Sequence, residues 1–106
     1  MDADFESRAE AELQRLMARL DDKLGETVDV EFQNGILTLD LEDGGQYVIN
    51  RHGPNKEIWL SSPRSGAWHF KYDASGNAWR STRGAGELAA LLNSELAAAT
   101  GIDPQL

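Results

Sequence analysis

The stretch QYVINRHGPNKEIWLSSPRSGAWHF, residues 46–70, alternates apolar and polar side chains in the manner of β-strands. Ile58 and Leu60 point to one face of such a strand, so Trp59 must point to the other. A preceding strand that ends at Asn50 turns an amide, rather than a charged group, toward its own outer face. An outward Trp beside an outward Asn predicts a contact surface on an exposed sheet.

An amphipathic helix precedes these strands and a second helix follows them. In the first helix, apolar side chains recur at three- and four-residue intervals: Phe5, Ala9, Leu13, Leu16, Met17, Leu20 and Leu24. We expect Gly25 to end this helix as a left-handed cap. The second helix, residues 87–100, carries Leu88, Leu91, Leu92 and Leu96 on one face and stops at Gly101.

The segment between the helices reads as a run of antiparallel strands. Residues 28–33 and 37–42 alternate apolar and polar side chains, and Asn34-Gly35 between them predicts a two-residue hairpin turn. Further turns at residues 43–45, 63–66 and 73–77 separate the later strands. The predicted fold is α+β, a two-layer sandwich of an antiparallel sheet of about five to six strands with both helices on one face. Residues 1–106 then form a single domain.

Composition excludes several classes of chemistry. The chain has no cysteine, so it can form neither disulfides nor thiolate nucleophiles. No apolar run is long enough for a membrane span, and the acidic N-terminus differs from a basic leader, so we expect a cytoplasmic protein without membrane contact. The two histidines lack metal-ligand spacing, and no Ser-His-acid order or phosphate-binding glycine loop is present.

Negative charge is concentrated in the first part of the chain. Residues 1–43 hold 13 Asp or Glu against 4 Lys or Arg, whereas residues 44–83 hold 2 against 6. The hairpin register sets Asp29 opposite Asp40, and like charges in that position are destabilising unless a cation or a partner offsets them. Carboxylates are hard oxygen ligands suited to hard cations. The pattern therefore favours cations or a basic protein as partners and argues against nucleic acid.

The strands around Trp59 carry a recognisable motif: Val-Ile-Asn-Arg at 48–51, Pro at 54, Lys at 56 and Ile-Trp-Leu-Ser at 58–61. This segment resembles the signature of the frataxin family. Arg19-Leu20-Asp21-Asp22 and Gly35–Leu39 are similar to bacterial members, so the resemblance covers roughly residues 5–101. His52 and Glu57 stand where the family usually has Gln. Met17 and Ala18 stand where the family often has acids. The family binds iron through acids in this region, so we expect this chain to bind iron more weakly than members that have them.

The resemblance implies a non-enzymatic accessory protein that binds cysteine desulfurase and the scaffold protein and regulates iron–sulfur cluster assembly. The family's acidic ridge binds ferrous and ferric iron weakly and uses no organic cofactor. In this chain the ridge would consist of Asp21, Asp22, Asp29 and Glu31, which match the family's acids, with Glu26 nearby. The family's partner surface carries over to Asn50, Arg51, His52 and Trp59, and His69 joins it by strand alternation. We expect a monomer or an iron-dependent oligomer.

The sequence is also compatible with two other functions. The acids could serve an enzyme that oxidises or stores ferrous iron, although such a site normally needs preorganised ligands. Alternatively, the protein could be an interaction module whose metal binding is incidental. Trp68 and Trp79 are expected to be packing residues or covers of the strand edges.

Overall fold

Two helices flank six strands along the chain in the computed structural model, which describes residues 2–84 and 86–106. The elements are α1 (Asp2–Leu24), β1 (Val28–Gln33), β2 (Ile36–Leu41), β3 (Gln46–His52), β4 (Glu57–Ser62), β5 (Gly66–Asp73), β6 (Ala78–Ser81) and α2 (Leu88–Thr100). The strands form one sheet in chain order, and each is antiparallel to the next. The predicted α+β sandwich is confirmed.

The core lies between the two helices and one face of the sheet. From α1 it takes the predicted stripe, with Met17 only partly buried, and from α2 it takes Leu88, Leu92 and Leu96. The sheet contributes the inward residues of its strands: Val28, Leu37, Leu39, Tyr47, Ile49, Ile58, Leu60, Phe70 and Trp79. Full burial of a Leu or Ile side chain contributes about 1.5–3 kcal/mol, so this layer supplies most of the driving force.

The β1–β2 hairpin turns at Asn34 and Gly35, whose φ angles are 55° and 77°. Positive φ at both central residues defines the turn that matches the twist of a two-residue hairpin, and Asn-Gly is its preferred sequence. The turn sets the register, in which Glu31 faces Thr38 and Asp29 faces Asp40. The predicted hairpin and its pair of opposed aspartates are both confirmed.

The helix ends behave differently from each other. Gly101 has φ of 81° and donates its N–H to the carbonyl of Ala97, so it is the expected left-handed stop of α2. The prediction of the same cap at Gly25 is wrong, because Gly25 does not have positive φ. It still donates to the carbonyl of Asp21, and a Cβ at this position would lie 2.3 Å from that oxygen. Gly25 is therefore required because a larger residue would collide with the Asp21 carbonyl, and not because the chain adopts a left-handed conformation there.

A polar network joins α2 to the sheet. Glu95 accepts hydrogen bonds from the hydroxyl groups of Tyr47, Ser62 and Ser65. Burial raises the pKa of Glu95, but these hydrogen bonds outweigh it and hold the pKa below its ordinary value. Burial and the bond to Glu95 raise the pKa of Tyr47 to about 12.

Trp68 and Trp79 are packing residues, as predicted. Trp79 is buried and meets Phe5 and Tyr72 edge to face, whereas Trp68 stacks on Phe70 at the margin of the core. Within the described residues, no helix combines the length and the hydropathy needed to cross a membrane. No helix or strand among residues 2–84 and 86–106 covers the sheet face opposite the helices, and the side chains of this open face form the first part of the candidate site.

Candidate functional site

Three neighbouring strands bring the aromatic residues of the open face together. Asn50 of β3 is paired with Trp59 of β4, and Trp59 is paired with His69 of β5. Strand alternation turns all three away from the core, where their neighbours Ile49, Ile58 and Phe70 are buried. The prediction that Trp59 and His69 share the open face is confirmed as a matter of position.

The indole of Trp59 is held between two imidazoles. The rings of His52 and Trp59 stack with centroids 3.6 Å apart and planes 9° from parallel. On the other side, the rings of Trp59 and His69 stack at 4.3 Å and 11°. Both faces of the indole are thus covered by rings from the adjacent strands, and only the ring edges remain available for other contacts.

Glu57 lies beneath this stack and is buried, with 6% of its surface exposed. Its carboxylate accepts a hydrogen bond from Nε1 of Trp59 at 2.7 Å. Nδ1 of His69 lies 3.7 Å from the same carboxylate, and Nζ of Lys71 lies 3.8 Å from it. A buried carboxylate requires such partners, because desolvation of an unpaired charge is strongly unfavourable. Glu57 thus accepts the hydrogen bond of the indole N–H, which is the only donor of the Trp59 side chain.

A small hollow opens beside the stack, with a volume of about 150 Å³. Its lining side chains come from β3, β4 and β5, and they include Val48, Asn50, Trp59, Ser61, Ala67 and His69. The walls are mainly apolar, while Asn50 and Ser61 supply hydrogen-bonding groups. The hollow is large enough for one side chain of a partner and too shallow for a typical small-molecule ligand.

Arg51 does not belong to this surface, in contrast to the grouping predicted from the motif. It is paired with the core residue Ile58, so it lies on the face that carries the helices. There its Nη1 lies 3.4 Å from the carboxylate of Glu10 and 3.7 Å from that of Glu6, both in α1. The structure brings together Asn50, His52, Trp59 and His69 and places Arg51 on the opposite side of the sheet.

The predicted acidic residues gather where α1 ends and β1 begins. Asp21, Asp22, Lys23 and Glu26 line an open hollow of about 700 Å³. A second hollow of about 250 Å³ shares Glu26 and Thr27 with it and is also lined by Asp29, Asp40 and Glu42. We call the carboxylates of the two hollows the acidic surface: Asp21, Asp22, Glu26, Asp29, Asp40 and Glu42. Glu31 lines neither hollow and faces Thr38 on the open sheet.

The acidic surface is open and largely uncompensated. Within the described chain, Asp22, Glu26, Asp29 and Glu31 form no ion pair, and Asp40 accepts one hydrogen bond, from the Gln46 side chain. No group of three or more carboxylates or imidazoles among residues 2–84 and 86–106 is close enough to form a ready metal shell. The arrangement can attract cations through its field, and any ligand shell must be completed by side-chain movement or water.

Two residues of these surfaces were missed from the sequence. Glu42 follows Asp40 by two residues, and strand alternation could have indicated that the two acids share a face. Glu57 precedes Trp59 by the same interval, so its place on the open face was also predictable. Its burial was not predictable, because it depends on side chains of three strands that close over it.

Comparisons with known proteins place the chain in one family. A family model described as a frataxin-like domain matches residues 1–102. The iron–sulfur cluster assembly protein CyaY of Thioalkalivibrio sulfidiphilus is 38% identical over 94% of this chain and 94% of its own length. The mitochondrial frataxin homologue of Schizosaccharomyces pombe is 46% identical over 63% of this chain, and the match spans only 42% of that protein.

Solved structures agree with this assignment. The frataxin of Psychromonas ingrahamii superposes with a TM-score of 0.85 over 96% of this chain and 93% of its own, and at 22% identity it demonstrates the fold alone. Trimeric frataxin from Saccharomyces cerevisiae, complexed with ferrous iron, superposes with a TM-score of 0.75 at 35% identity over 89% of this chain and 86% of its own. The family model, the bacterial relative and the shared sandwich lead to one conclusion: the chain belongs to the frataxin family.

Proposed function

We propose that this protein is an iron-binding accessory of iron–sulfur cluster assembly, which docks on cysteine desulfurase and the scaffold protein, regulates assembly and can donate iron. Family membership supports this proposal, as does the relative named an iron–sulfur cluster assembly protein. The yeast relative was crystallised with ferrous iron. The observation that carries the proposal in this chain is the acidic surface, whose carboxylates lie around two adjoining hollows.

The acidic surface is suited to weak and exchangeable iron binding. Its ligands are exposed carboxylates, which prefer hard cations and discriminate poorly among them. Asp21, Asp22, Glu26 and Asp29 are its proposed iron-binding residues, and Glu31 extends the site along β1. Lys23 shares the first hollow and opposes cation binding there. Weak binding is appropriate for a protein that passes iron on rather than storing it.

Docking divides between two surfaces with different roles. The acidic surface attracts the basic surface of a partner over a distance and sets the rate of encounter. The open face around Asn50, His52, Trp59 and His69 provides the short-range contacts, since a rigid aromatic group beside a small hollow is typical of residues that dominate binding energy. We further propose that the protein acts in the cytoplasm as a monomer and that iron promotes its self-association by neutralising the acids.

The accessory role is favoured over iron oxidation by the openness of the site. An oxidase needs ligands fixed by neighbouring groups. Glu26 and Asp29 are exposed, and in the described chain neither forms an ion pair that would hold it in place. Oxygen consumption with ferrous iron separates the two functions, because multiple turnovers that disappear in an Asp21→Asn/Asp22→Asn variant would support the oxidase.

The main test is binding to the cognate cysteine desulfurase at two ionic strengths. We expect affinity to fall as salt rises, and Asp21→Asn/Asp22→Asn to reduce both the affinity and its salt dependence. The matched control is Asp4→Asn/Asp103→Asn, which changes the net charge equally at exposed positions outside the acidic surface. Equal affinity at both ionic strengths, or equal losses in the two variants, would contradict docking through the acidic surface.

A further inference from the structure

The two departures from the frataxin signature are partners in the sheet. His52 of β3 is paired with Glu57 of β4, and these are the two positions at which the frataxin resemblance leads us to expect Gln. In this chain both side chains turn to Trp59: the imidazole stacks on its face and the carboxylate accepts its N–H. The residues at these two positions therefore both contact Trp59, the central aromatic group of the proposed docking surface.

We propose that Glu57 is a positioning residue of the docking surface, which fixes the indole of Trp59 so that a partner meets only its ring edge. The proposal rests on the proposed function, because it assumes that the Trp59 face is the short-range docking surface. Glu57 is buried in the free protein and its carboxylate is already engaged with Trp59, His69 and Lys71. It therefore acts through the indole rather than through a bond of its own to the partner.

The geometry explains why fixing the indole matters. A free Trp side chain on a sheet surface samples several rotamers, and a partner that selects one of them loses binding free energy to the ordering. The bond from Nε1 to Glu57 and the two stacked imidazoles remove that freedom before docking. The same bond uses the only donor of the indole, so the Trp59 ring offers a partner an apolar edge.

The charge of Glu57 adds to the hydrogen bond. Nδ1 of His69 and Nζ of Lys71 both lie within 4 Å of its carboxylate, and Lys71 also donates to the carbonyl of Asn55. A Gln at this position would keep an oxygen acceptor for the indole but would lose the attraction to Lys71. Glu57→Gln should therefore preserve most of the positioning, whereas Glu57→Ala should remove it.

A first experiment reads the indole directly by ¹H–¹⁵N NMR of the full chain. The Trp59 indole signal is identified by its loss in Trp59→Phe, and the Trp68 indole, which donates to Ser65, is an internal reference. We expect Glu57→Ala to shift the Trp59 N–H signal upfield and broaden it, with the Trp68 signal unchanged. Glu57→Gln should give a sharp signal close to that of the wild type. An unshifted Trp59 signal in Glu57→Ala would overturn the proposal.

A second experiment measures the affinity of the same variants for the cognate cysteine desulfurase. Loss of a preorganising bond of this strength should weaken docking by about tenfold in Glu57→Ala and much less in Glu57→Gln. Asp4→Ala, which removes an exposed carboxylate at the start of α1, should bind like the wild type. Thermal melting of each variant verifies that the comparison is made on folded protein.

The variants separate failure of this proposal from failure of the docking face itself. If Trp59→Ala loses affinity while Glu57→Ala binds like the wild type, Glu57 is not a positioning residue and the docking face stands. If Trp59→Ala also binds like the wild type, the open face is not the docking surface, and both proposals are overturned. Graded losses, largest for Trp59→Ala, then Glu57→Ala, then Glu57→Gln, are the result we expect.

Discussion

At the scale of single residues, burial decides what each charged group does. Glu95 accepts hydrogen bonds from three hydroxyl groups, whereas Glu57 accepts one from the Trp59 indole and lies within 4 Å of His69 and Lys71. Asp22 and Glu26 are exposed and without ion pairs in the described chain, so their charge faces the solvent. The same chemical group is thus held by donors within the fold in one place and exposed to solvent in the other.

Burial of Tyr47 and the hydroxyl groups that donate to Glu95 make stability depend on pH in two separate ranges. The pKa of Tyr47 is raised from 10.0 to about 12 in the folded state, so its contribution is complete below pH 10.0 and is lost as pH rises toward 12. The pKa of Glu95 is lowered, so its contribution is present above the ordinary value of 4.5 and is lost as pH falls through the folded pKa.

Urea unfolding at several pH values tests these ranges. We expect Tyr47→Phe to reduce the loss of stability between pH 10 and pH 12, and Glu95→Gln to reduce the loss in acid. At neutral pH, Glu95→Gln should cost about 1–3 kcal/mol, because three hydroxyl donors lose a charged acceptor. Identical alkaline limbs in the wild type and Tyr47→Phe would contradict the first expectation.

Arg51 provides a second prediction at this scale. Because its guanidinium pairs with Glu6 and Glu10 at a half-exposed site, Arg51→Gln should reduce the free energy of unfolding by no more than about 1 kcal/mol. Its affinity for the desulfurase should match that of the wild type, since the side chain lies on the helix face. A loss comparable to that of Trp59→Ala would return Arg51 to the partner surface.

At the scale of elements, the β1–β2 hairpin holds the acids of both strands in register. Asp29 faces Asp40 across the pair, and the turn that imposes this arrangement depends on Asn34 and Gly35. The repulsion between the two aspartates is offset by the turn and by the buried inward residues Leu37 and Leu39. The hairpin therefore contains a repulsion between two carboxylates that a bound cation would reduce.

Gly35→Ala tests the contribution of the turn. The atoms nearest to its Cβ would be those of the Arg51 side chain at 3.5 Å, which is an ordinary contact, so the effect comes from the backbone with φ of 77°. We expect a loss of about 1 kcal/mol in the free energy of unfolding, measured in urea. The control is Gly53→Ala, since Gly53 has open space and no positive φ, and it should change stability little.

The elements were more predictable from the sequence than the sites. The helices and the hairpin follow from apolar spacing and from Asn34-Gly35, because both signals are local. Gly25 was misassigned because the path of the chain after α1 depends on close approach to Asp21 rather than on a cap motif. Arg51 was misassigned because the motif is contiguous in sequence, whereas strand alternation divides it between two faces. The burial of Glu57 could not be predicted, because it results from the packing of side chains on neighbouring strands.

At the scale of the whole molecule, charge is separated across the sheet. The acidic surface lies where α1, β1 and β2 meet, whereas at the other edge of the sheet the outward Lys71 and Arg80 balance the charges of Glu57 and Asp73. With a formal net charge of −8, the folded chain also repels itself. Such a field orients the molecule as it approaches a basic partner, with the acidic surface turned toward that partner.

Divalent cations should therefore stabilise the folded protein beyond the effect of ionic strength. We expect Mn²⁺, a redox-stable hard cation, to raise the melting temperature by several degrees more than NaCl of equal ionic strength. The extra rise should shrink in Asp21→Asn/Asp22→Asn and persist in Asp4→Asn/Asp103→Asn. If both salts raise the melting temperature equally, screening alone is responsible and the acidic surface does not bind the cation.

The covered indole of Trp59 has a consequence for solubility. A sheet with one uncovered face tends to associate with the same face of another copy, especially when a large aromatic side chain projects from it. Here the imidazoles of His52 and His69 coat both sides of that group. Ile36, with 41% of its surface exposed, is the largest apolar side chain left uncovered on this face within the described residues. Two copies that meet at this face therefore find the indole already covered, which reduces the apolar area available for self-association.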